Sequence, residues 1–79
     1  MSQDLEWIVS TARQSDPSLD HDIAQKLAGE ALRILAGTEP ADAPSVARAL
    51  FAAHPRYGAT SANVVATAAI DYLAAGEQT

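Results

Sequence analysis

Histidine and carboxylate side chains are the groups in this sequence whose types suit acid–base or metal chemistry. Asp20, His21 and Asp22 place an imidazole between two carboxylates, a combination that binds metal ions or relays protons in many proteins. Adjacent residues of a helix point about 100° apart, so these three side chains do not converge on one ion. They suit the acidic first turn of a helix, where carboxylates complement the helix dipole. We therefore predict no metal site there.

The segment HPRYGATS, residues 54–61, is the second place where chemically useful side chains gather. Its last four residues, from Gly58, lead into a helix N-terminus, whose free N–H groups attract anions, and Arg56 lies two residues before the glycine. The same pattern is common where a glycine turns the chain and a hydroxyl residue caps a helix. His54 suits the negative end of the preceding helix. The other residues of this segment thus have structural roles, whereas Arg56 and Tyr57 have none. We expect these two at an exposed corner that contacts a partner.

Thiolate catalysis, disulfides and Cys-type zinc sites are excluded, because the sequence contains no cysteine. Neither a Ser/His/Asp spacing nor a phosphate-binding glycine loop is present. We therefore expect no enzymatic activity, and we assign no catalytic residue, no metal and no cofactor.

The charge of the chain argues against nucleic acid as its ligand. Ten acidic and five basic residues give a net charge of −5, whereas nucleic-acid-binding domains usually present a basic face. A two-fold axis can still gather basic residues that are scattered singly, so a dimeric DNA-binding transcriptional regulator stays the alternative function. Those residues are Arg13, Lys26, Arg33, Arg48 and Arg56.

The elements that position these side chains are predicted to be helices, because apolar residues recur at helical spacing and no strand-like alternation occurs. A chain of 79 residues suits one domain. We predict a single all-α domain over residues 1–79, a compact bundle of four short helices at about residues 3–14, 17–36, 43–54 and 61–75.

Capping residues set the predicted helix bounds. Asp16 is expected to cap the second helix, with Pro17 at its first position. Gly37 is expected to end that helix in a left-handed conformation. Asp42 is expected to cap the third helix, whose first turn accepts Pro44.

The first helix has one apolar stripe and one aromatic residue away from it. Leu5, Ile8, Val9 and Ala12 follow the spacing of a buried helix face. Trp7 points to nearly the opposite side. Either the helix is covered on two sides within the monomer, or Trp7 contacts a partner.

The third and fourth helices differ in how their apolar residues are distributed. The third has one predicted buried face, which includes Leu50, Phe51 and Ala53. The fourth is apolar almost all round, and such a helix is either central to its own fold or packed against another chain. Ile70 and Tyr72 are the large side chains that we expect at such an interface.

The predicted helices and their connections give little support to two other functions. A helix-turn-helix over the third and fourth helices has a connection longer than usual, and only Asn63 suits base recognition at the exposed start of the fourth. The other function is that of a carrier or small-ligand-binding domain. Ser18 in DPSL resembles the serine of the DSL motif of acyl carrier proteins. The gap before the second helix is shorter than in that family, so we do not assign the chain to it.

The expected location is the cytoplasm. No apolar run approaches the roughly 18 residues of a membrane span, so we expect no membrane partner. The N-terminal MSQDLEW carries acids where a signal peptide carries basic residues. A small chain without cysteine suits a reducing compartment.

These observations predict a small acidic helical protein, of bacterial or phage type, that acts by binding another protein. We expect a regulator, inhibitor or adaptor that self-associates through its first or fourth helix. Aromatic residues and arginine are enriched where protein interfaces gain most of their affinity. The predicted contact residues are Trp7, Arg56, Tyr57, Ile70 and Tyr72.

Overall fold

The computed structural model describes residues 3–37 and 42–77, which form four α-helices. No strand occurs in these residues, and the predicted all-α bundle of four helices is confirmed. The helices are α1 (Gln3–Ser15), α2 (His21–Gly37), α3 (Ala43–Ala53) and α4 (Gly58–Glu77), with a turn of 3-10 helix at Pro55–Tyr57.

The start of α2 differs from the prediction, because a turn precedes it. The Asp16 carboxylate accepts hydrogen bonds from the backbone N–H and the hydroxyl of Ser18, at 3.2 and 2.6 Å. This turn buries the Leu19 side chain in the core. The Asp20 carboxylate then accepts a hydrogen bond from the backbone N–H of Asp22, at 2.8 Å, and so caps the helix instead of Asp16.

The predicted left-handed end of α2 is wrong, whereas the predicted cap of α3 is confirmed. Gly37 is the last residue of α2 and does not have a positive φ. At α3, the Asp42 carboxylate accepts a hydrogen bond from the backbone N–H of Ser45, at 2.9 Å. Hydrogen bonds from the hydroxyl and the backbone of Ser45 hold the pKa of Asp42 below its ordinary value.

The fourth helix begins earlier than predicted, at a glycine that redirects the chain. Gly58 has a φ of 88°, and its backbone N–H donates to the carbonyl of Pro55. Glycine is the residue that adopts this conformation without strain. Thr60 and Ser61 therefore lie inside the first turn of α4, and the predicted hydroxyl cap is wrong. The helix also continues past the predicted end at residue 75, to Glu77.

Buried residues from all four helices form one core, and alanine supplies more than half of them. Small side chains allow close approach of the helices. The largest fully buried side chains are Ile8, Leu27, Val46, Leu50 and Val65.

The central helix of this core is α4, which packs against α1, α2 and α3. Its position accounts for an apolar surface that extends around most of the helix. Across residues 3–37 and 42–77, none of the helices has the length and apolarity that a membrane span requires.

The predicted buried face of α3 is partly wrong. Leu50 is fully buried against the core, but the next residue, Phe51, is 43% exposed, and Ala53 is exposed at the end of the helix. Adjacent helical residues point about 100° apart, and the core covers only the side that carries Val46, Ala47 and Leu50.

Candidate protein-binding surface

The five predicted contact residues fall into separate places. Trp7 and Tyr72 meet where α1 and α4 pack together. Arg56 and Tyr57 precede the first residue of α4, so they lie roughly 20 Å away from Tyr72 along the helix axis. Ile70 is half-buried against the core and lies on the opposite flank of α4 from Tyr72. The structure therefore does not unite these residues in one surface.

The Trp7 and Tyr72 rings form a tilted aromatic pair. Their centroids lie 5.4 Å apart and their planes are inclined by 58°, a geometry that aromatic pairs favour over a stacked sandwich. The Tyr72 hydroxyl donates a hydrogen bond to the Asp4 carboxylate in the first turn of α1. This bond, with desolvation and the carboxylate charge, raises the pKa of Tyr72.

These contacts hold the Trp7 ring in place without covering it. The Trp7 side chain is 38% exposed, although one part of it packs on Tyr72. A fixed and partly exposed tryptophan loses little conformational freedom when a partner binds it.

The surface around Trp7 carries few charges. Gln3, Ser10 and Gln14 are exposed on the outward side of α1, one or two turns from Trp7. Two charged residues, Glu6 and Arg13, lie along one edge. We name this surface the Trp7 face and define it by Gln3, Glu6, Trp7, Ser10, Arg13 and Gln14.

The predicted exposed corner at residues 56 and 57 is half wrong. Tyr57 is half-buried against the core, and its ring stacks on His54 with centroids 5.4 Å apart and planes inclined by 23°. His54 ends α3 as its C-cap, where its backbone N–H donates to the Leu50 carbonyl, and its imidazole packs on Tyr57. Arg56 is exposed. A contact at this corner would involve Arg56 with only the outer edge of Tyr57.

A groove between α1 and α2 has a volume of about 570 Å³. Leu5, Val9 and Pro17 supply its apolar part, and polar residues such as Arg13 and His21 form its rim. No buried polar side chain in the described residues lacks a hydrogen-bond partner, so none points unsatisfied into the groove. Nor do these residues include a cluster of three or more groups suited to a metal ion.

The DNA-binding and carrier alternatives gain little from the structure. The connection between α3 and α4, residues 54–57, is shorter than predicted because α4 begins at Gly58. However, α4 contains no lysine or arginine, and Asn63 is exposed near its start. Ser18 lies in the turn before α2, where its hydroxyl donates to Asp16, and not in the helix itself.

The arrangement of the helices places this protein in the class of small all-α bundles. The chain matches no protein-family model, no curated protein and no solved structure.

Proposed function

We propose that this protein acts by binding another protein, as a small regulator, inhibitor or adaptor, and that the Trp7 face is its contact surface. The main observation in its support is that Trp7 packs on Tyr72 yet is 38% exposed on the outward side of α1. Tryptophan is among the residues most enriched in the parts of interfaces that contribute most affinity.

The neighbours of Trp7 support the proposal. Interface centres are depleted in charge, and the exposed residues that flank Trp7 along α1 are Gln3, Ser10 and Gln14. Phe51 and Leu73 are also exposed, at 43% and 41%. Phenylalanine and leucine, however, are not the residue types most enriched where interfaces gain affinity, which are tryptophan, tyrosine and arginine.

The setting that we propose is the cytoplasm, since a chain of this size without cysteine suits a reducing compartment.

Affinity capture with matched variants tests the proposal. Immobilised wild type, Trp7→Ala and Phe51→Ala are compared, after circular dichroism has shown that each is folded. We expect Trp7→Ala to lose a bound protein that wild type and Phe51→Ala both retain. Phe51→Ala is the control because it removes an exposed aromatic ring away from α1. If Trp7→Ala captures every protein that wild type captures, the proposal is contradicted.

A further inference from the structure

We infer that the Trp7 face binds a second copy of this chain, with the two α1 helices antiparallel about a two-fold axis. The inference rests on the proposed function, because it takes the same contact surface and names its occupant. It depends on the spacing, the sizes and the charges of the residues that form the Trp7 face.

The spacing is that of a helix-packing seam. Gln3, Trp7, Ser10 and Gln14 follow one another at steps of four, three and four residues, which places them in one row along the helix. This row lies on the side of α1 opposite to the buried face that includes Ile8 and Ala12. Two chains can therefore pair along this row without a clash, because the core of each bundle lies on the side of its α1 that faces away from the other chain.

The row is self-complementary only when the two helices are antiparallel. A two-fold axis midway between Trp7 and Ser10 places each Trp7 opposite Ser10 of the second copy, so that a large side chain meets a small one. It also places each Gln3 opposite Gln14 of the second copy, where the amides can exchange hydrogen bonds. A parallel pair would instead set Trp7 against Trp7.

The charges at the edge agree with the same arrangement. Glu6 and Arg13 are exposed, seven residues apart and on the same side of the row. In an antiparallel pair, each Glu6 lies near Arg13 of the second copy, which gives two equivalent ion pairs. Within the described part of its own chain, neither side chain forms a hydrogen bond or an ion pair. A parallel pair offers these two charges no opposite partner.

The expected dimer is weak. The α1 helix has 13 residues and is about 20 Å long, so one helix pair buries less than the roughly 1,200 Å² of a standard stable interface. Association should therefore depend on concentration. Salt acts on it in two opposite ways, because it screens the ion pairs and also the repulsion between two chains of net charge −5.

Charge reversal tests the pairing by sedimentation velocity at low salt and high chain concentration. Glu6→Arg and Arg13→Glu each put like charges opposite one another, and we expect each to weaken dimerisation by roughly tenfold. An equimolar mixture of the two variants restores both ion pairs and should form dimers again. Each substitution also opposes the dipole of its own helix, but mixing cannot relieve that effect. If the mixture stays monomeric while wild type dimerises, the pairing is wrong.

Cysteine cross-linking tests the direction of the helices, and the chain has no cysteine of its own to interfere. The double variant Gln3→Cys/Gln14→Cys should form a disulfide-linked dimer under mild oxidation. Within one chain the two positions are roughly 16 Å apart along α1, too far for a disulfide. The single variants are the controls and should stay monomeric. Efficient dimers of the Gln3→Cys variant alone would show a parallel pair and overturn the inference.

The outcomes separate this inference from the proposed function. A wild-type chain that is monomeric at every concentration overturns the self-pairing. If Trp7-dependent capture of another protein persists in that case, the Trp7 face is still a contact surface, with a different occupant. If wild type dimerises but Trp7→Ala and the charge variants dimerise equally well, the two copies pair through another surface and this inference is wrong. The proposed function is then decided by the capture experiment alone.

Discussion

Trp7 and Tyr72 join the first helix of this protein to the last, with their ring centroids 5.4 Å apart. Tyr72 also donates a hydrogen bond to Asp4, one turn before Trp7 on the same helix. The pair thus stabilises the packing of α1 on α4 and fixes the orientation of a partly exposed tryptophan. One aromatic contact serves both the fold and the surface that we propose to be functional.

The Tyr72–Asp4 hydrogen bond should be visible in a pH titration. Tyr57 and Tyr72 are the two tyrosines of the chain, so Tyr57→Phe leaves Tyr72 as the sole tyrosinate signal in ultraviolet absorbance. We expect Tyr72 to ionise at a higher pH than a free tyrosine, because the bond to the Asp4 carboxylate raises its pKa. Adding Asp4→Asn should bring the pKa back toward about 10. An unchanged titration would contradict the bond.

The same bond predicts how stability responds to alkali. Since the pKa of Tyr72 is raised in the folded chain, its contribution to stability is complete below the unfolded pKa of about 10. It is lost as the pH rises through the folded pKa. Thermal unfolding of wild type and Tyr72→Phe should therefore differ at neutral pH and converge in alkali. A constant difference would exclude the linkage.

The third helix offers a matched pair of core and surface substitutions. Leu50→Ala should lower the free energy of unfolding by about 2–5 kcal/mol, because it empties a fully buried position. Phe51→Ala removes a larger side chain, but one that is 43% exposed, and should cost much less. Denaturant unfolding of both variants checks the order. The reverse order would mean that α3 is rotated about its axis.

Two glycines should respond to alanine in opposite directions. Gly58 has a φ of 88°, so Gly58→Ala should destabilise the fold by roughly 1–3 kcal/mol. Gly29 lies inside α2, and a Cβ there would meet no atom within 4 Å, so Gly29→Ala should stabilise by roughly 0.5–1 kcal/mol. Thermal unfolding of both variants is the measurement. Equal effects would contradict the turn at Gly58.

The lowered pKa of Asp42 predicts that the folded chain loses stability in acid. Its pKa is lowered by the bonds from Ser45, so its contribution is complete above about pH 3.9 and is lost as the pH falls through the folded pKa. Asp42→Asn keeps a capping side chain but cannot titrate. The variant should therefore lose less stability than wild type as the pH falls below about 3.9. Equal losses would show that Asp42 is not coupled to folding.

Local patterns were sufficient to predict the helices and one of their caps. The stripe of α1 and the Asp42 cap depend on residues within a few positions of each other, and both appear as predicted. The start of α2 was wrong because Asp16 and Asp20 are equally suited to cap a helix. The burial of Leu19, a tertiary effect, decides between them.

The surroundings of the predicted contact residues were less predictable, because they too depend on tertiary contacts. The position of Trp7 away from the stripe of α1 was readable from helical spacing, but its contact with Tyr72 depends on which helices are neighbours. The stack of Tyr57 on His54 likewise depends on the turn of 3-10 helix, which no periodicity indicates. Exposure of Phe51 follows from how much of α3 the core covers.

The most direct test of the Trp7 face uses the fluorescence of Trp7, which is the sole tryptophan of the chain. Acrylamide quenching and the emission maximum are measured as the chain concentration rises, for wild type and for Glu6→Arg. We predict that wild-type quenching falls and emission shifts to the blue as Trp7 becomes covered, whereas Glu6→Arg changes at much higher concentration. Quenching and emission that stay constant while sedimentation shows wild type associating would contradict the account, because Trp7 would then lie outside the contact.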